Sequence, residues 1–307
     1  MLLWLQHTLD GLLQAGPYAL VALGLTLGFG TLRRINLAYG GAAMLAAYAG
    51  AWLHARYNLP PALIMLVVLV CAALAGLYVE WLCFPGARGV DQGQSLHANA
   101  ALASGREVVA LASSFAVWMQ LEQLAVAVLP HHLNAFPSLA AEREWELFGL
   151  GLRPDRLAQL ALALVLVAAL SHFLQRSRAG LAWRAMSCQP TAAHLSGLAV
   201  PLLQRLAFVA TSALAGLAAC AVLVVDAQVT PMFGMWMLVK GLVAAMLGGL
   251  GSLRGALIGA LVLGVVEAHA QAWLGAVARD ATAWALLLGV LLWRAARVPP
   301  QGAPAHA

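Results

Sequence analysis

Two oppositely charged residues stand inside long apolar stretches, Lys240 in one and Glu267 in the next. At 1.5 Å per residue, both lie about 10 Å from the same edge of their stretches. An unpaired charge in the middle of a membrane costs about 2.5–3.5 kcal/mol. We therefore expect Lys240 and Glu267 to pair, either as a structural ion pair or, alternatively, as part of a solute site.

Other residue types that support catalysis or cofactor binding are not spaced to do so. The stretch GGLGSLRG is Gly-rich, but a phosphate-binding loop needs Lys and then Ser or Thr after its last Gly, and Gly255 is followed by Ala256. His131 and His132 are adjacent, with no further ligand at metal spacing. We expect a non-catalytic chain that binds no metal or cofactor, so that any energy source must be supplied by another chain.

The composition is that of an integral membrane protein. Of the 307 residues, 63% are hydrophobic and 9% are charged, whereas soluble domains carry about 25% charged residues. The net charge of +5 comes from scattered arginines, and Lys240 is the only lysine. Because nucleic-acid binding needs a clustered basic face, the sequence excludes that partner and favours the lipid bilayer.

Apolar windows near the length needed to cross the hydrocarbon core recur along the chain. We predict an all-α polytopic membrane protein of about eight or nine transmembrane helices, forming one domain over residues 1–297 with a loose tail at 298–307. The segment Phe233–Leu250 either spans fully or re-enters. The candidate spans are Thr8–Gly30, Leu37–Ala55, Pro60–Cys83, Val108–Leu129, Leu157–Leu174, Leu206–Asp226, Phe233–Leu250, Gly255–Trp273 and Ala281–Trp293.

Arginine bias predicts the orientation, since basic residues collect in cytoplasmic loops. The loop at about 176–205 contains Arg176, Arg178, Arg184 and Arg205 and no acidic residue, so we place it inside. Counting spans from it puts the N-terminus and the loop Pro130–Arg156 outside, and puts Arg33 and Arg34 inside.

The same cytoplasmic loop has a helical pattern on either side of Pro190. We predict a short helix from Leu181, a turn near Pro190, because proline interrupts a helix, and a second helical piece to Gly197. Such an element is either a docking surface for another protein or a basic loop that contacts anionic lipid heads.

Glycines mark a further region near the C-terminal end of the chain. Gly251, Gly255 and Gly259 recur every fourth residue, which predicts one small-residue face for close helix packing. Gly248 and Gly249 precede them and allow the helix to break within the membrane. The segment is either a gate or a site of tight packing.

Asn36 ends a hinge, Arg33–Asn36, between the first two predicted spans. Its side-chain amide either caps the start of the second helix or contacts a solute.

Three passages resemble the permease subunits of branched-chain amino-acid-type ABC importers. They are GPYALVALGLTLGFGTLRRINLAYGGAAMLAAY (Gly16–Tyr48), RSRAGLAWRAMSCQPTAAHLSGL (Arg176–Leu198) and LVKGLVAAMLGGLGSLRGALIGALVLGVVEA (Leu238–Ala268). Their order and separation also fit, so the resemblance covers nearly the whole chain. One departure stands in the first passage, where Tyr39 and Gly41 occupy the family's His and Glu positions.

The resemblance implies partners and site residues. Two permease subunits, either copies of this chain or homologous chains, would form the pathway in a bacterial inner membrane. Two cytoplasmic ATPases would dock on the loop, and a periplasmic solute-binding protein would deliver the solute. Coupling would involve Arg178, Gly180, Arg184, Ala185 and Gly197, and gating would involve Asn36, Tyr39, Gly40, Gly248, Gly249, Gly251 and Gly255.

The function expected from the resemblance is ATP-driven import of a small polar solute by alternating access. Branched-chain or other amino acids rank first, and urea or short amides rank second. An ion-coupled secondary transporter is the rival from another class. It would need its own acid, base or cation site near the middle of the membrane.

Overall fold

Long apolar helices make up almost all of the structure, a computed structural model that describes residues 2–32, 36–83, 100–128, 135–137, 145–147, 150–230 and 232–297. The all-α prediction is confirmed in these residues. The elements are α1 (Leu2–Leu32), α2 (Ala38–Tyr57), α3 (Pro61–Cys83), α4 (Ala100–Val128), β1 (Trp145–Leu147), β2 (Leu150–Leu152), α5 (Pro154–Arg176), α6 (Arg178–Cys188), α7 (Pro190–Leu195), α8 (Val200–Asp226), α9 (Phe233–Gly248), α10 (Leu253–Leu274) and α11 (Ala276–Arg297).

Each predicted span lies on a helix, but the helices differ in their fitness to cross a membrane. Seven of those described are long and apolar enough: α1, α3, α4, α5, α8, α10 and α11. The α2 helix is rich in Ala and Gly, and 12 of its 20 residues are buried, so most of its surface contacts other parts of the chain. The α9 helix has 16 residues, about 24 Å of rise against a hydrocarbon core of about 30 Å.

The α9 and α10 helices form an antiparallel hairpin, and α1 packs along α10. Gly248 packs on Gly255 at the closed end of the hairpin, and Gly259 packs on Ala244 one turn further along. At the two ends of α1, Gly11 lies against Val265 and Gly30 lies against the turn that follows α9. Small residues allow these close backbone approaches, which supply the packing that the hydrophobic effect does not provide in lipid.

The prediction that Gly251 shares a helix face with Gly255 and Gly259 is wrong. The α10 helix begins at Leu253, and Gly251 precedes it in a turn with φ of 94°. Gly251 therefore faces Gly30 of α1, whereas Gly255 and Gly259 face α9. Ser252 accepts a hydrogen bond from the Gly255 amide and caps α10, so the helix begins after Gly251. The regular glycine spacing did not indicate this helix start.

We name the two ends of the bundle by the arginine-derived orientation. The inner end carries α6 and α7, between the end of α5 and the start of α8. The outer end carries an antiparallel β1–β2 hairpin that the sequence did not predict, anchored where Gln6 of α1 hydrogen bonds both polar atoms of the Gly151 backbone. Arg33, Arg34, His131, His132 and the tail at 298–307 lie outside the described residues.

Burial separates a central group of helices from a peripheral one. The apolar window of α1 is 67% buried inside the chain, whereas that of α11 is 6% buried. The most enclosed positions are mostly alanines on α1, α2, α8, α9 and α10. In a membrane, the exposed apolar faces of α4, α5 and α11 are available to lipid or to another subunit.

Candidate functional site

A cluster of charged side chains joins α1, α9, α10 and α11 near the outer end. Lys240 Nζ lies 3.1 Å from Glu267 Oε2, so the two residues paired from the sequence are in contact. Arg279 Nε lies 3.2 Å from the same oxygen. The Tyr18 hydroxyl donates to that oxygen at 2.6 Å and accepts hydrogen bonds from Lys240 and Arg279.

The charges of this cluster balance. Glu267 is fully buried and neutralises one of two cations, while Asp280 Oδ1 lies 3.5 Å from Lys240 Nζ and supplies the second negative charge. A buried ion is tolerated only when it is paired and hydrogen bonded. Glu267 therefore acts as the anchor that orients Tyr18, Lys240 and Arg279.

Three members of the cluster were not predicted as site residues. Tyr18 stands in the middle of a long apolar helix and reads as ordinary packing. Arg279 and Asp280 fell just before the predicted span Ala281–Trp293, and the sequence analysis gave them no role. The α11 helix begins at Ala276, so both residues lie in its first turns. Their adjacency beside an apolar run was the available signal.

A cavity of about 540 Å³ opens beside this cluster. Its lining combines charged and amide side chains with apolar ones, and most of the apolar ones come from α8 and α9. The polar lining includes Gln14, Arg156, Gln159, Asp226, Lys240, Arg279 and Asp280, and the apolar lining includes Val21, Val222, Phe233, Trp236 and Met237. Gln159 also donates to the Ala221 carbonyl, which ties α5 to α8.

The described backbone that follows α8, residues 227–230, is not helical, and part of it lines the cavity. Gln228 and Thr230 contribute to the lining, and the Ala227 carbonyl accepts a hydrogen bond from Phe136. Irregular backbone at membrane depth is tolerated where it borders a polar cavity. The segment precedes α9, and α9 extends from the cavity to the inner end. The segment and α9 together therefore reach from one end of the bundle to the other.

The glycine turn at the far end of α9 has the broken geometry expected from the sequence. The helix ends at Gly248, and Gly249 and Gly251 have φ of 92° and 94°, a conformation that favours glycine. Gly255, in the first turn of the returning α10 helix, packs against Gly248. The geometry fits both interpretations of the sequence, since it combines tight packing with a helix break.

The described positions from Asn36 into α2 make packing contacts. The Asn36 side chain accepts a hydrogen bond from the Ala38 amide at 3.0 Å, a local turn bond just before α2, whose N-cap position is Leu37. Tyr39 is 3% exposed and fills the space above Gly24 of α1. Gly40 packs on Gly234 and Gly41 packs on Trp118. Among these four positions, none lines the outer cavity.

The α6 and α7 helices form a compact element at the inner end, interrupted at Pro190 as predicted, although α6 begins three residues before the predicted Leu181. Gly180 packs against the Phe173 carbonyl, and Trp183 is buried against Leu27 and Ala207. Gly197 ends the element with φ of 87°. The outward surface carries Arg178, Leu181, Arg184, Ala185 and Leu195, all exposed.

A second cavity, of about 390 Å³, connects this element with the glycine turn. Arg184 and Ser187 of α6 line it together with Thr26 and Gly30 of α1 and Gly251. The exposed α6–α7 element and the end of the α9–α10 hairpin therefore border one space. Of the residues predicted for coupling and gating, the structure brings Arg184 and Gly251 together here, whereas Asn36, Tyr39 and Gly40 lie elsewhere.

Comparison with known proteins places this architecture in a family. Residues 7–295 match the family model of the permease component of the branched-chain amino acid transport system. The high-affinity branched-chain amino acid permease LivH of Salmonella typhimurium is 28% identical over 304 residues, which cover 95% of this chain and 94% of that protein. BraD of Pseudomonas aeruginosa is 28% identical over 303 residues, with the same coverage.

A solved structure supports the fold. The PsaBC complex of Streptococcus pneumoniae with a Fab matches with a TM-score of 0.51 at 13% identity, covering 92% of this chain and 89% of that one. At this identity the match concerns the fold alone. Together with the match over residues 7–295, these findings show that the chain, a multi-pass membrane protein, belongs to the branched-chain amino acid transport system permease family.

Proposed function

We propose that this chain is the transmembrane subunit of an ATP-driven importer in a bacterial inner membrane and that it carries amino acids. The observation that carries the proposal is the pairing of a polar cavity at the outer end with an exposed helical element at the inner end. The membership of a permease family supports it, and the relatives are described as branched-chain amino acid permeases.

In this proposal the partners are two cytoplasmic ATPases, a solute-binding protein at the outer face and a second permease subunit. The second subunit is a copy of this chain or a homologue. The ATPases hold the ATP and Mg²⁺. The exposed Leu181 and Leu195 support docking at the inner end, because apolar side chains projecting from a polar face mark an interaction site.

Coupling follows from the shared inner cavity. A movement of α6 acts on the glycine turn because Arg184 and Gly251 border one space. The turn joins α9 and α10, which also hold Lys240 and Glu267 at the outer cavity. Alternating access then consists of two packings of this hairpin against α1, biased by partner binding at the two ends.

The proposal is tested by purifying the tagged chain from native membranes. Two ATPase chains co-purify with the wild type, and Arg184→Glu reverses the charge of the docking surface and reduces their recovery several-fold. Arg56→Glu is the matched control, since Arg56 is also exposed but lies at the outer end of α2. Purification of the chain alone, with transport in liposomes that lack ATP, would instead support an ion-coupled transporter.

A further inference from the structure

Asp280 and Arg279 are adjacent in the first turns of α11, and both line the outer cavity with opposite charges. Arg279 is held from behind by Glu267 and Tyr18, at 3.2 and 2.8 Å. Asp280 contacts Lys240 at 3.5 Å, and its side chain stays 42% exposed. The first turns of α11 therefore present a positive and a negative group side by side.

The contacts that hold Arg279 and Asp280 in place leave some of their hydrogen-bonding positions available on the cavity side. Arg279 donates through Nε to Glu267 and through Nη2 to Tyr18, and its Nη1 and Nη2 also face the Gln14 side-chain oxygen. A guanidinium carries five donors in a fixed fork, so one N–H of Nη1 remains for a bound molecule. Asp280 contacts Lys240 through Oδ1 only. A bound molecule with its own carboxylate and ammonium would fill the remaining hydrogen-bonding positions of Arg279 and Asp280. Such charge-assisted hydrogen bonds are stronger than those between neutral groups.

The rest of the cavity fits the remaining part of such a molecule. Val222, Phe233 and Met237 give the cavity an apolar part of its lining. Ligand sites commonly combine an apolar lining with a few placed polar groups. A neutral polar solute such as urea carries no charge to offer the remaining hydrogen-bonding positions of Arg279 and Asp280, which disfavours it relative to a zwitterion.

We infer that Arg279 and Asp280 are specificity-determining residues that read the two charges of a zwitterionic solute, Arg279 its carboxylate and Asp280 its ammonium, with Val222, Phe233 and Met237 receiving its apolar side chain. This inference rests on the proposed import function and assigns the groups within the chain that select the solute.

The test is equilibrium binding of radiolabelled leucine to the complex, purified from native membranes through a tag on this chain and placed in lipid nanodiscs without solute-binding protein. Leucinamide lacks the carboxylate and N-acetyl-leucine lacks the ammonium. The wild type binds leucine, and neither analogue nor urea displaces it at tenfold excess. Asp280→Asn weakens leucine binding about tenfold and narrows the preference for leucine over N-acetyl-leucine.

Asp280 is chosen because it is the more exposed of the pair, whereas Arg279 also stabilises the buried cluster. Asp10→Asn is the control, since Asp10 is a carboxylate of α1 outside the cavity lining, and it leaves leucine binding unchanged. The narrowed preference is a signature that a purely structural defect would not produce.

Three results overturn the inference: no leucine binding by the wild type, equal displacement by either analogue or by urea, or unchanged binding by Asp280→Asn. If co-purification of the ATPases still depends on Arg184, only the assignment of the cavity fails. If no ATPase co-purifies, the import function fails, whatever the leucine result.

Discussion

At the scale of single residues, one carboxylate oxygen joins three helices to α10 near the outer end. Glu267 Oε2 accepts from Tyr18, Lys240 and Arg279, each on a different helix. The carboxylate is fully buried, so its two cationic partners depend on it for compensation. Replacing a complete buried ion pair by apolar residues is often neutral, but removing one partner leaves an uncompensated charge.

Glu267→Gln tests this dependence. The amide keeps the shape but removes the negative charge, so that Lys240 and Arg279 repel each other around the Tyr18 hydroxyl. We expect a loss of about 3–5 kcal/mol in the free energy of unfolding, measured as a lower thermal midpoint in detergent. Glu122→Gln makes the same change on α4, outside the cluster, and serves as the control. Equal midpoints for the two variants would contradict the anchoring role.

At the scale of elements, glycine contacts determine how α9, α10 and α1 approach one another. A Cβ on Gly259 would meet the Ala244 carbonyl and would lie 2.8 Å from the Gly248 amide nitrogen. Both are backbone atoms, which cannot turn away as a flexible side chain does. By contrast, a Cβ on Gly289 of α11 would meet nothing within 4 Å.

Gly259→Ala is therefore expected to destabilise the hairpin by about 1–3 kcal/mol, the usual effect of overpacking. Gly289→Ala adds the same methyl group to an open helix surface and should be neutral or slightly stabilising, because alanine has the higher helix propensity. Thermal midpoints of the two purified variants give the comparison. A Gly259→Ala variant as stable as the wild type would mean that α9 and α10 separate easily.

At the scale of the whole molecule, the two ends differ in chemistry. The outer end holds the larger cavity and the β1–β2 hairpin, and the inner end holds α6, α7 and the smaller cavity. The packing sets α10 antiparallel to both α1 and α9, which run in the same direction from the outer to the inner end. An element at one end therefore faces the opposite aqueous compartment from an element at the other.

Cysteine labelling checks this sidedness. Cys188 ends α6 and is exposed, whereas Cys83 and Cys220 are buried. A membrane-impermeant maleimide should label Cys188 in inside-out vesicles and should not label it in right-side-out vesicles. Tyr57→Cys, at the exposed outer end of α2 and in a chain that carries Cys188→Ser, should show the reverse. Labelling of both positions from one side would contradict their placement at opposite ends, and the reversed pattern would overturn the arginine-derived orientation.

Much of the fold was predictable because membrane helices follow local rules. Apolar length located the helices, and the bounds of α3 agree with the predicted span to within one residue. Pro190 predicted the break between α6 and α7. The prediction was wrong where two local signals competed, as at Gly251, whose spacing suggested a helix face although Ser252 caps a later start.

Less of the candidate site was predictable, since its members come from four helices. The pairing of Lys240 with Glu267 was expected from their similar depth and opposite charge. Tyr18 and Arg279 stand 249 and 12 positions from Glu267, and their meeting depends on how α1 and α11 rotate about their own axes. Helix rotation is set by packing between side chains of different helices, which hydropathy does not encode.

The sequence by itself therefore determined the class of molecule, the positions of the helices and the family, because hydrocarbon length, proline, arginine bias and motif order act along the chain. Tertiary structure alone decided that Glu267 serves three donors, that Arg279 and Asp280 border a cavity, and that Gly251 faces α1. These contacts arise only when helices distant in sequence pack at one depth in one orientation, which no local pattern specifies.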